Sequence, residues 1–313
     1  MIRLAIILPC YNEEEILDMS AQRLGTLLGD LTAKGKISAD SFALFVNDGS
    51  HDNTWNIITS LHRRHAFVKG LNLAHNVGHQ YAILAGMMTV KDVCDGLITI
   101  DADLQDDLKC VEQMVDAHAE GYDVVYGVKV KRQADSYMKR LSAQMFYKML
   151  TSMGVDSIYN HADFRFLSRR VVEALSRYPE RNLYLRGLIP QIGFPHTTVD
   201  DVLSERKAGK SKYTPTKMFG LALDGITSFS TRPLYYVSLV GFLFILTSIA
   251  IAVYVIYSLY TGRAADGWAS LILSIWFVGG VTLIALGCVG AYVGKIYTEV
   301  KRRPHYNVQE FLD

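Results

Sequence analysis

The first 130 residues alternate short runs of apolar and β-branched residues with longer stretches in which apolar positions recur at helical spacing. Such runs predict strands, and such stretches predict amphipathic helices. The predicted strands are, in chain order, RLAIILP, FALFVND, VKGLNL, GLITIDAD and YDVVYGV. The predicted helices run from about Glu14 to Leu31, after His51, from about Gly78 to Val90 and from about Asp107 to His118. Strand then helix, repeated, predicts an α/β fold with a Rossmann-like, mostly parallel sheet covered on both faces.

Two long stretches near the C-terminus, residues 233–260 and 267–294, carry no charged residue. A helix of about 28 residues covers about 42 Å, which exceeds the hydrocarbon core of a bilayer at about 30 Å. The short loop between the two stretches predicts a transmembrane hairpin. Lysine and arginine flank the outer ends of this hairpin. The positive-inside rule therefore predicts that both termini and the preceding domain are cytoplasmic.

Residues 214–231 place apolar side chains at helical spacing just before the hairpin. This pattern predicts a helix lying in the membrane surface, although a helix packed on the soluble domain would show the same pattern. A second stretch, SYMKRLSAQMFYKML, allows the same two interpretations. The predicted organisation is a soluble domain over 1–213, an interfacial helix over 214–231, a hairpin over 232–297 and a cytoplasmic tail over 298–313.

Composition and charge exclude several classes of protein. The 313 residues include 32 Lys plus Arg against 31 Asp plus Glu, a net charge of +1, which argues against a globally basic protein that binds nucleic acid. No G-x-G-x-x-G follows a predicted strand, and G-x-x-x-x-G-K-[ST] is absent from the sequence. Dinucleotide oxidoreductases and phosphate-loop NTPases therefore lack their main signature here.

Polar, acidic and glycine-rich segments follow the predicted strands, in the order PCYNE, NDGSHDNT, NVGHQ, DADLQDD and GVKVKR. Ligands bind at the carboxyl ends of the strands in parallel sheets, so these segments predict a nucleotide or sugar-phosphate site. Asp101 and Asp103 are separated by one residue, and a bend would turn both carboxylates toward one cation, with Gln105 close by. Mg²⁺ and Mn²⁺ prefer such oxygen ligands and complete their shell with phosphate oxygens and water. Such a cation would stabilise the charge on a departing nucleoside diphosphate.

The motifs Pro9-Cys10-Tyr11-Asn12-Glu13, Asn47-Asp48-Gly49-Ser50-x-Asp52, Asn76-x-Gly78-His79-Gln80-x-Ala82 and Asp101-Ala102-Asp103-Leu104-Gln105-Asp106 resemble those of family-2 inverting glycosyltransferases with the GT-A fold. Further matches are Asp163-Phe164-Arg165, Arg181-Asn182-Leu183, Arg186-Gly187, Glu205-Arg206-x-Ala208-Gly209-x-Ser211-Lys212-Tyr213 and the terminal hairpin. These are similar to the polyprenyl-phosphate branch, which includes dolichyl-phosphate mannose synthases and in particular the bactoprenol glucosyltransferases of O-antigen and wall modification. The resemblance runs nearly end to end. It implies a GT-A catalytic domain followed by interface helices and a two-helix transmembrane hairpin.

The resemblance also implies roles for individual residues. The implied donor-binding residues are Pro9, Tyr11, Glu13, Asp48, Asp101, Ala102, Asp103 and Lys129. The implied metal ligands for Mg²⁺ or Mn²⁺ are Asp101, Asp103 and Gln105. The implied residues around the acceptor phosphate are Arg132, Arg140, Arg206 and Lys212. The implied catalytic residues are Asp163, Asp103 and Arg206. An aromatic ring suits stacking on a base, and clustered cations suit clustered phosphates.

Asp163 is the base that the resemblance implies, but chemistry leaves a second role open. The second pKa of a phosphate monoester is about 6, so an acceptor phosphate is already largely a dianion at neutral pH. Asp163 would then orient the acceptor or the metal instead of removing a proton. The two nearby histidines, His79 and His161, receive no chemical role from the sequence.

The implied activity is the transfer of one hexose, most commonly glucose from UDP-glucose, to undecaprenyl phosphate with inversion, at the cytoplasmic face of a bacterial inner membrane. The implied partners are the nucleotide sugar, undecaprenyl phosphate and the bilayer, with a homo-oligomer such as a tetramer and a flippase as further expectations. One alternative is a processive polysaccharide synthase, although the Gln-x-x-Arg-Trp motif of those enzymes is absent from the sequence. The other is a non-catalytic nucleotide-sugar sensor or scaffold, against which Asp101, Asp103 and Arg206 argue.

Overall fold

The computed structural model describes residues 1–129, 161–181, 183–202, 232–261 and 267–313. These residues form two compact units. The first unit contains the sheet, its helices and the last eleven residues, 303–313. The second unit contains the two long apolar helices.

The first unit is built on one sheet, and its strands in the described part of the chain are β1 (Leu4–Cys10), β2 (Phe42–Asn47), β3 (Val68–Leu73), β4 (Gly96–Thr99), β5 (Val124–Lys129), β6 (His161–Ser168), β7 (His196–Asp201) and β8 (Val308–Leu312). Their spatial order is β7-β5-β6-β4-β1-β2-β3-β8. β6 and β8 run antiparallel to their neighbours, and the other pairings are parallel. The predicted mostly parallel sheet is confirmed.

The helices of the first unit are α1 (Leu17–Ala33), α2 (Thr54–Arg64), α3 (His79–Val90), α4 (Lys109–Ala119), α5 (Arg169–Leu175) and α6 (Leu185–Gln191). The first four lie close to their predicted positions, because the apolar spacing that predicts them is local. Every residue of β1 and β2 is buried. Such continuous apolar runs are typical of strands covered on both faces.

The two faces of the sheet carry different helices. Leu4, Ile6 and Leu8 share a core with residues of α1, α2 and α4. Ile7 points to the opposite face, because successive side chains of a strand alternate. There α3 packs closely through Gly86, where an added Cβ would lie 2.6 Å from Ile7 Cγ2.

The second unit contains α7 (Arg232–Tyr260) and α8 (Trp268–Lys301). The segments Leu234–Ile251 and Phe277–Lys301 have mean hydropathies of 2.2 and 1.9, and none of either segment is buried. Both helices are therefore long and apolar enough to cross a membrane. The predicted interfacial helix at 214–231 and the amphipathic stretch at 136–150 lie outside the described residues.

The chain after the hairpin, predicted as a cytoplasmic tail over 298–313, is partly structured. The helix α8 continues to Lys301, and Val308–Leu312 forms β8, antiparallel to β3. Trp55 Nε1 donates to Glu310 Oε2 at 3.3 Å. Leu312 Cδ1 packs over Gly70, 3.1 Å from where a Cβ would stand. The sequence does not predict this strand, because a five-residue run acquires its strand conformation from the open edge of β3, which local periodicity does not reveal.

Candidate active site

The segments that follow the parallel strands β4, β1 and β2 lie beside the start of the antiparallel strand β6. They meet at the end of the sheet where the parallel strands finish. β6, β4, β1 and β2 are neighbours in that order. Thr99 at the end of β4 pairs with Arg165 of β6. In an antiparallel ladder this register places Asp163 level with Asp101, and the Thr99 hydroxyl donates to the Asp163 carbonyl. The sheet therefore brings together two carboxylates that are about sixty residues apart in the sequence.

A tight turn holds the predicted metal-binding pair. Leu104 N donates to Asp101 O at 3.0 Å, and Leu104 has a φ of 47°. A branched side chain is strained in this left-handed region, and such strain is concentrated at functional sites. Ser20 of α1 donates to the Ala102 carbonyl at 2.6 Å, and Arg23 donates to the Leu104 carbonyl at 3.1 Å. The helix thus fixes a turn that sequence alone predicts only as a bend.

Gln105 contacts Asp103 directly in this turn. Its Nε2 donates to Asp103 Oδ2, and its backbone N lies 3.4 Å from Oδ1. Gln105 therefore orients Asp103 here, and its role as a metal ligand stays a prediction. Within the described ranges, His, Cys, Asp and Glu form no group of three that could hold a metal ion. Two carboxylates that leave room for phosphate and water oxygens nevertheless fit the way Mg²⁺ and Mn²⁺ bind with nucleotides.

Asp163 lies at the centre of a cluster of positively charged groups. Arg186 binds both of its oxygens, with Nε 3.2 Å from Oδ1 and Nη2 2.9 Å from Oδ2. Arg165 Nη2 donates to Oδ1, and His79 Nε2 lies 3.4 Å from Oδ2. Burial alone would raise the pKa of Asp163, but the hydrogen bond from His79 and the charges of Arg165 and Arg186 hold it well below its usual range. A carboxylate stabilised in this way is a weak base, and both of its predicted roles, base and orienting group, stay predictions.

His79 joins Asp163 to the Asp101–Asp103 turn. Its Nε2 lies 3.7 Å from Asp101 Oδ1 as well as close to Asp163. Burial alone would lower the pKa of His79, but its hydrogen bond to Asp163 and the charge of Asp101 outweigh burial and raise it. The sequence assigns no role to His79 or to Arg186. The signal that could have identified His79 is its position on the segment that follows β3, at the same edge as the other motifs.

Two loops with predicted donor contacts are tied together by side-chain hydrogen bonds. Asn12 N donates to Ser50 Oγ at 3.0 Å, and His51 N donates back to Asn12 Oδ1 at 2.9 Å. Glu13 N donates to Thr54 Oγ1 at 3.0 Å. Pro9 is buried within β1, whereas the Tyr11 ring is 38% exposed. An aromatic ring held on a rigid rim in this way is suited to stacking on a nucleobase.

Asp48 is buried and fixes the loop that leads into α3. Its Oδ1 accepts from Val77 N at 2.7 Å, and its Oδ2 accepts from Gly78 N at 3.0 Å and from Asn76 Nδ2 at 3.1 Å. Gly78 has a φ of 94°, a conformation that favours glycine. Asp48 therefore positions the first turn of α3, and with it His79. Its direct contact with a donor stays a prediction.

Lys129, at the end of β5, lies 3.6 Å from Asp106 Oδ1. Burial raises the pKa of Asp106 to about 8, against the influence of Lys129. Contact of Lys129 with a diphosphate stays a prediction. The acceptor-side residues Arg132, Arg140, Arg206 and Lys212 lie outside the described residues, so their placement is untested.

The family model described as "Glycosyl transferase family 2" matches residues 5–176. The chain belongs to this family. The match covers the strands and loops that form the edge described above, including Asp101, Asp103 and Asp163. It confirms the predicted enzyme class.

This family 2 glycosyltransferase is similar over nearly its full length to proteins of known sequence. It is 45% identical to "Uncharacterized glycosyltransferase YkoT" of Bacillus subtilis, over 97% of this chain and 90% of that protein. It is 35% identical to "Bactoprenol glucosyl transferase" of Shigella phage SfII, over 98% of each chain. Among solved structures, glucosyl-3-phosphoglycerate synthase from Mycobacterium tuberculosis with phosphoglyceric acid matches with a TM-score of 0.50 and 13% identity, covering 73% of this chain and 80% of that one. That likeness supports the GT-A fold alone.

Proposed function

We propose that this glycosyltransferase transfers a single hexose, glucose from UDP-glucose, to the phosphate of undecaprenyl phosphate with inversion of the anomeric centre. One observation carries the proposal. Where the parallel strands end, the Asp101–Asp103 turn lies level with Asp163, and His79 contacts both Asp101 and Asp163. The near full-length similarity to a protein named bactoprenol glucosyl transferase supports the lipid acceptor.

The chemistry needs no general base. An oxygen of the acceptor phosphate attacks the anomeric carbon and forms the new C–O bond. The bond from that carbon to the diphosphate breaks, and its electron pair leaves on UDP. Because a phosphate monoester is largely dianionic above pH about 6, the attacking oxygen carries no proton that must be removed. Asp163 then orients Arg186 and His79 around the acceptor.

Asp101 and Asp103 would hold a Mg²⁺ or Mn²⁺ ion. Such an ion supplies positive charge where the departing diphosphate becomes more negative. The chain itself prepares the site, since Ser20 and Arg23 fix the turn and Gln105 orients Asp103. Tyr11 would stack on the uracil ring. Lys129 and Arg206 would add positive charge beside the phosphates.

The two apolar helices α7 and α8 suit a lipid acceptor, whose tail stays in the bilayer while only its phosphate enters the active site. We place the catalytic unit and both termini in the bacterial cytoplasm, at the inner membrane, following the positive-inside rule. The product would serve the modification of O-antigen or another cell-envelope glycan. A homo-oligomer and a flippase partner stay predictions.

The proposal is tested with the purified full chain, undecaprenyl phosphate and a panel of labelled nucleotide sugars, with the lipid product analysed by mass spectrometry. One hexose per lipid, from UDP-glucose, is the expected product. Asp103→Asn should lose this activity, and Asp116→Asn, which changes a surface ion pair with Lys36, should keep it. Polymer growth would identify a processive synthase. Donor binding with no product would identify a sensor or scaffold.

A further inference from the structure

The basic side chains around Asp163 are those of Arg165, Arg186 and His79. They differ in the fraction of their surface that is exposed. The Arg165 side chain is fully buried, and the Asp163 side chain is only 12% exposed. By contrast, 32% of the Arg186 side chain and 44% of the His79 side chain are exposed. The accessible surface of the cluster therefore belongs mainly to the Arg186 and His79 side chains, with the Asp163 carboxylate largely buried between them.

The Asp163 carboxylate binds two arginines. Arg165 Nη2 donates to Oδ1, and Arg186 binds both oxygens through Nε and Nη2. In the part of the chain that the structure describes, Arg165 Nε and Nη1 are buried without a hydrogen-bond partner. A buried cation with incomplete hydrogen bonding favours a further anion nearby, because an uncompensated charge away from water is costly.

We propose that Arg186 and His79 bind the phosphate monoester of the acceptor. Asp163 is then the positioning residue that orients both side chains toward this phosphate. This inference rests on the proposed function and assigns acceptor-phosphate contacts to the described residues, in addition to those expected from Arg132, Arg140, Arg206 and Lys212. An arginine whose Nε and Nη2 both bind one carboxylate is fixed in orientation. It therefore loses little conformational entropy when it binds a phosphate.

In this assignment the acceptor phosphate and the donor diphosphate contact different residues. The contacts run from Asp101 through His79 to Asp163 and then to Arg186. Arg186 therefore lies at the end of the chain of contacts that is farther from the Asp101–Asp103 turn. In a displacement with inversion, the attacking and leaving oxygens occupy opposite sides of the anomeric carbon. In this assignment the leaving diphosphate lies at Asp101 and Asp103, and the attacking phosphate lies at Arg186.

The test measures two ligands on the full chain in detergent. Farnesyl phosphate and UDP with Mn²⁺ are titrated calorimetrically into the wild-type protein, Arg186→Gln, Arg186→Lys and His79→Gln. Farnesol, which lacks the phosphate, separates binding of the head group from binding of the tail. Arg169→Gln is the matched control, because the Arg169 side chain forms a surface ion pair with Glu173, at 3.1 Å.

Arg186→Gln should weaken farnesyl phosphate binding at least about tenfold, the loss expected for one charge-assisted hydrogen bond, and leave UDP binding unchanged. Arg186→Lys should lie between Arg186→Gln and the wild type, because it keeps the charge and loses the two-pronged contact. His79→Gln should weaken farnesyl phosphate binding less than Arg186→Gln does. Arg169→Gln should bind both ligands like the wild type. In turnover assays Arg186→Gln should raise the KM for undecaprenyl phosphate and not the KM for the nucleotide sugar.

Unchanged farnesyl phosphate binding in Arg186→Gln overturns the inference. So does an Arg186→Lys variant in which UDP binding falls as much as farnesyl phosphate binding, because Arg186 would then contact the diphosphate. Wild-type protein that binds farnesyl phosphate through Arg186 but forms no lipid-linked sugar would refute the proposed function and leave this inference standing. Transfer by Arg186→Gln with a wild-type KM for undecaprenyl phosphate would refute this inference and leave the proposed function standing.

Discussion

The ring of His305 stacks on the ring of Tyr81, with centroids 5.4 Å apart and planes inclined by 29°. Tyr81 belongs to the first turn of α3, and its hydroxyl donates to the Arg181 carbonyl. In the same turn, Gln80 Oε1 accepts from Leu185 N at 2.9 Å, where α6 begins. The chain that follows α8 therefore contacts the helix that carries His79, and this helix in turn holds the segment that carries Arg186.

Removal of residues 307–313 should destabilise the catalytic unit. β3 would lose its antiparallel partner, and Leu312 would no longer cover Gly70. We expect the free energy of unfolding to fall by about 2 kcal/mol, from the partly buried Leu312 side chain together with the lost hydrogen bonds between β8 and β3. Urea unfolding of the otherwise complete protein in detergent measures this loss.

The matched control for this truncation is Asp313→Asn, which removes only the ion pair with Lys69. It should cost less than about 1 kcal/mol, because Asp313 is largely exposed. A truncated chain that unfolds at the wild-type urea concentration would show that β8 contributes nothing to the stability of the sheet.

Asp163→Asn should destabilise the protein as well as inactivate it. The substitution leaves Arg165 as a buried cation without its carboxylate, which costs about 3 kcal/mol. The double variant Asp163→Asn with Arg165→Met removes both charges and should recover stability to within about 1 kcal/mol of the wild type. It should not recover transfer, because Arg186 and His79 still lack their common partner. Unfolding and transfer are measured on the same preparations, and a fully stable Asp163→Asn would refute this description of the cluster.

Gly49→Ala should disturb the candidate active site by displacing the loop that Asp48 holds. Gly49 has a φ of +60°, and an added Cβ would lie 2.4 Å from Asn76 N and 2.5 Å from His75 C. Both atoms belong to the backbone, so the loop that Asp48 holds must move. We expect a loss of more than about 2 kcal/mol in stability, together with reduced transfer.

Gly35→Ala is the control for this backbone effect. Gly35 also has a positive φ, +68°, but an added Cβ there would meet nothing within 4 Å. The cost should be about 1 kcal/mol, from backbone conformation alone, with no change in transfer. Equal effects of the two substitutions in unfolding experiments would contradict the close approach at Asn76.

The sequence predicts the parallel core of the fold well because its signals are local. Apolar runs mark β1 to β5, helical spacing marks α1 to α4, and the acidic segment after β4 marks the turn that carries Asp101 and Asp103. The resemblance adds Asp163 and its possible roles as base or orienting group. Each of these features can be recognised in a window of a few residues.

The features that the sequence misses depend on pairing between distant segments. β8 becomes a strand because it meets β3, about 240 residues earlier in the chain. His79 and Arg186 gain their importance from Asp163, which reaches them only when β6 inserts between β4 and β5. The weak basicity of Asp163 likewise follows from these three-dimensional neighbours and not from the Asp-Phe-Arg motif itself.

The most direct measurement is the initial rate of lipid-linked glucose formation as divalent metal is removed and restored. With purified wild-type protein, UDP-glucose and undecaprenyl phosphate, EDTA should lower the rate at least about a hundredfold, and excess Mg²⁺ or Mn²⁺ should restore it. Asp103→Asn should remain inactive at every metal concentration. Undiminished transfer in EDTA, or metal-stimulated transfer by Asp103→Asn at the wild-type rate, would contradict the assignment of the diphosphate to the Asp101–Asp103 turn.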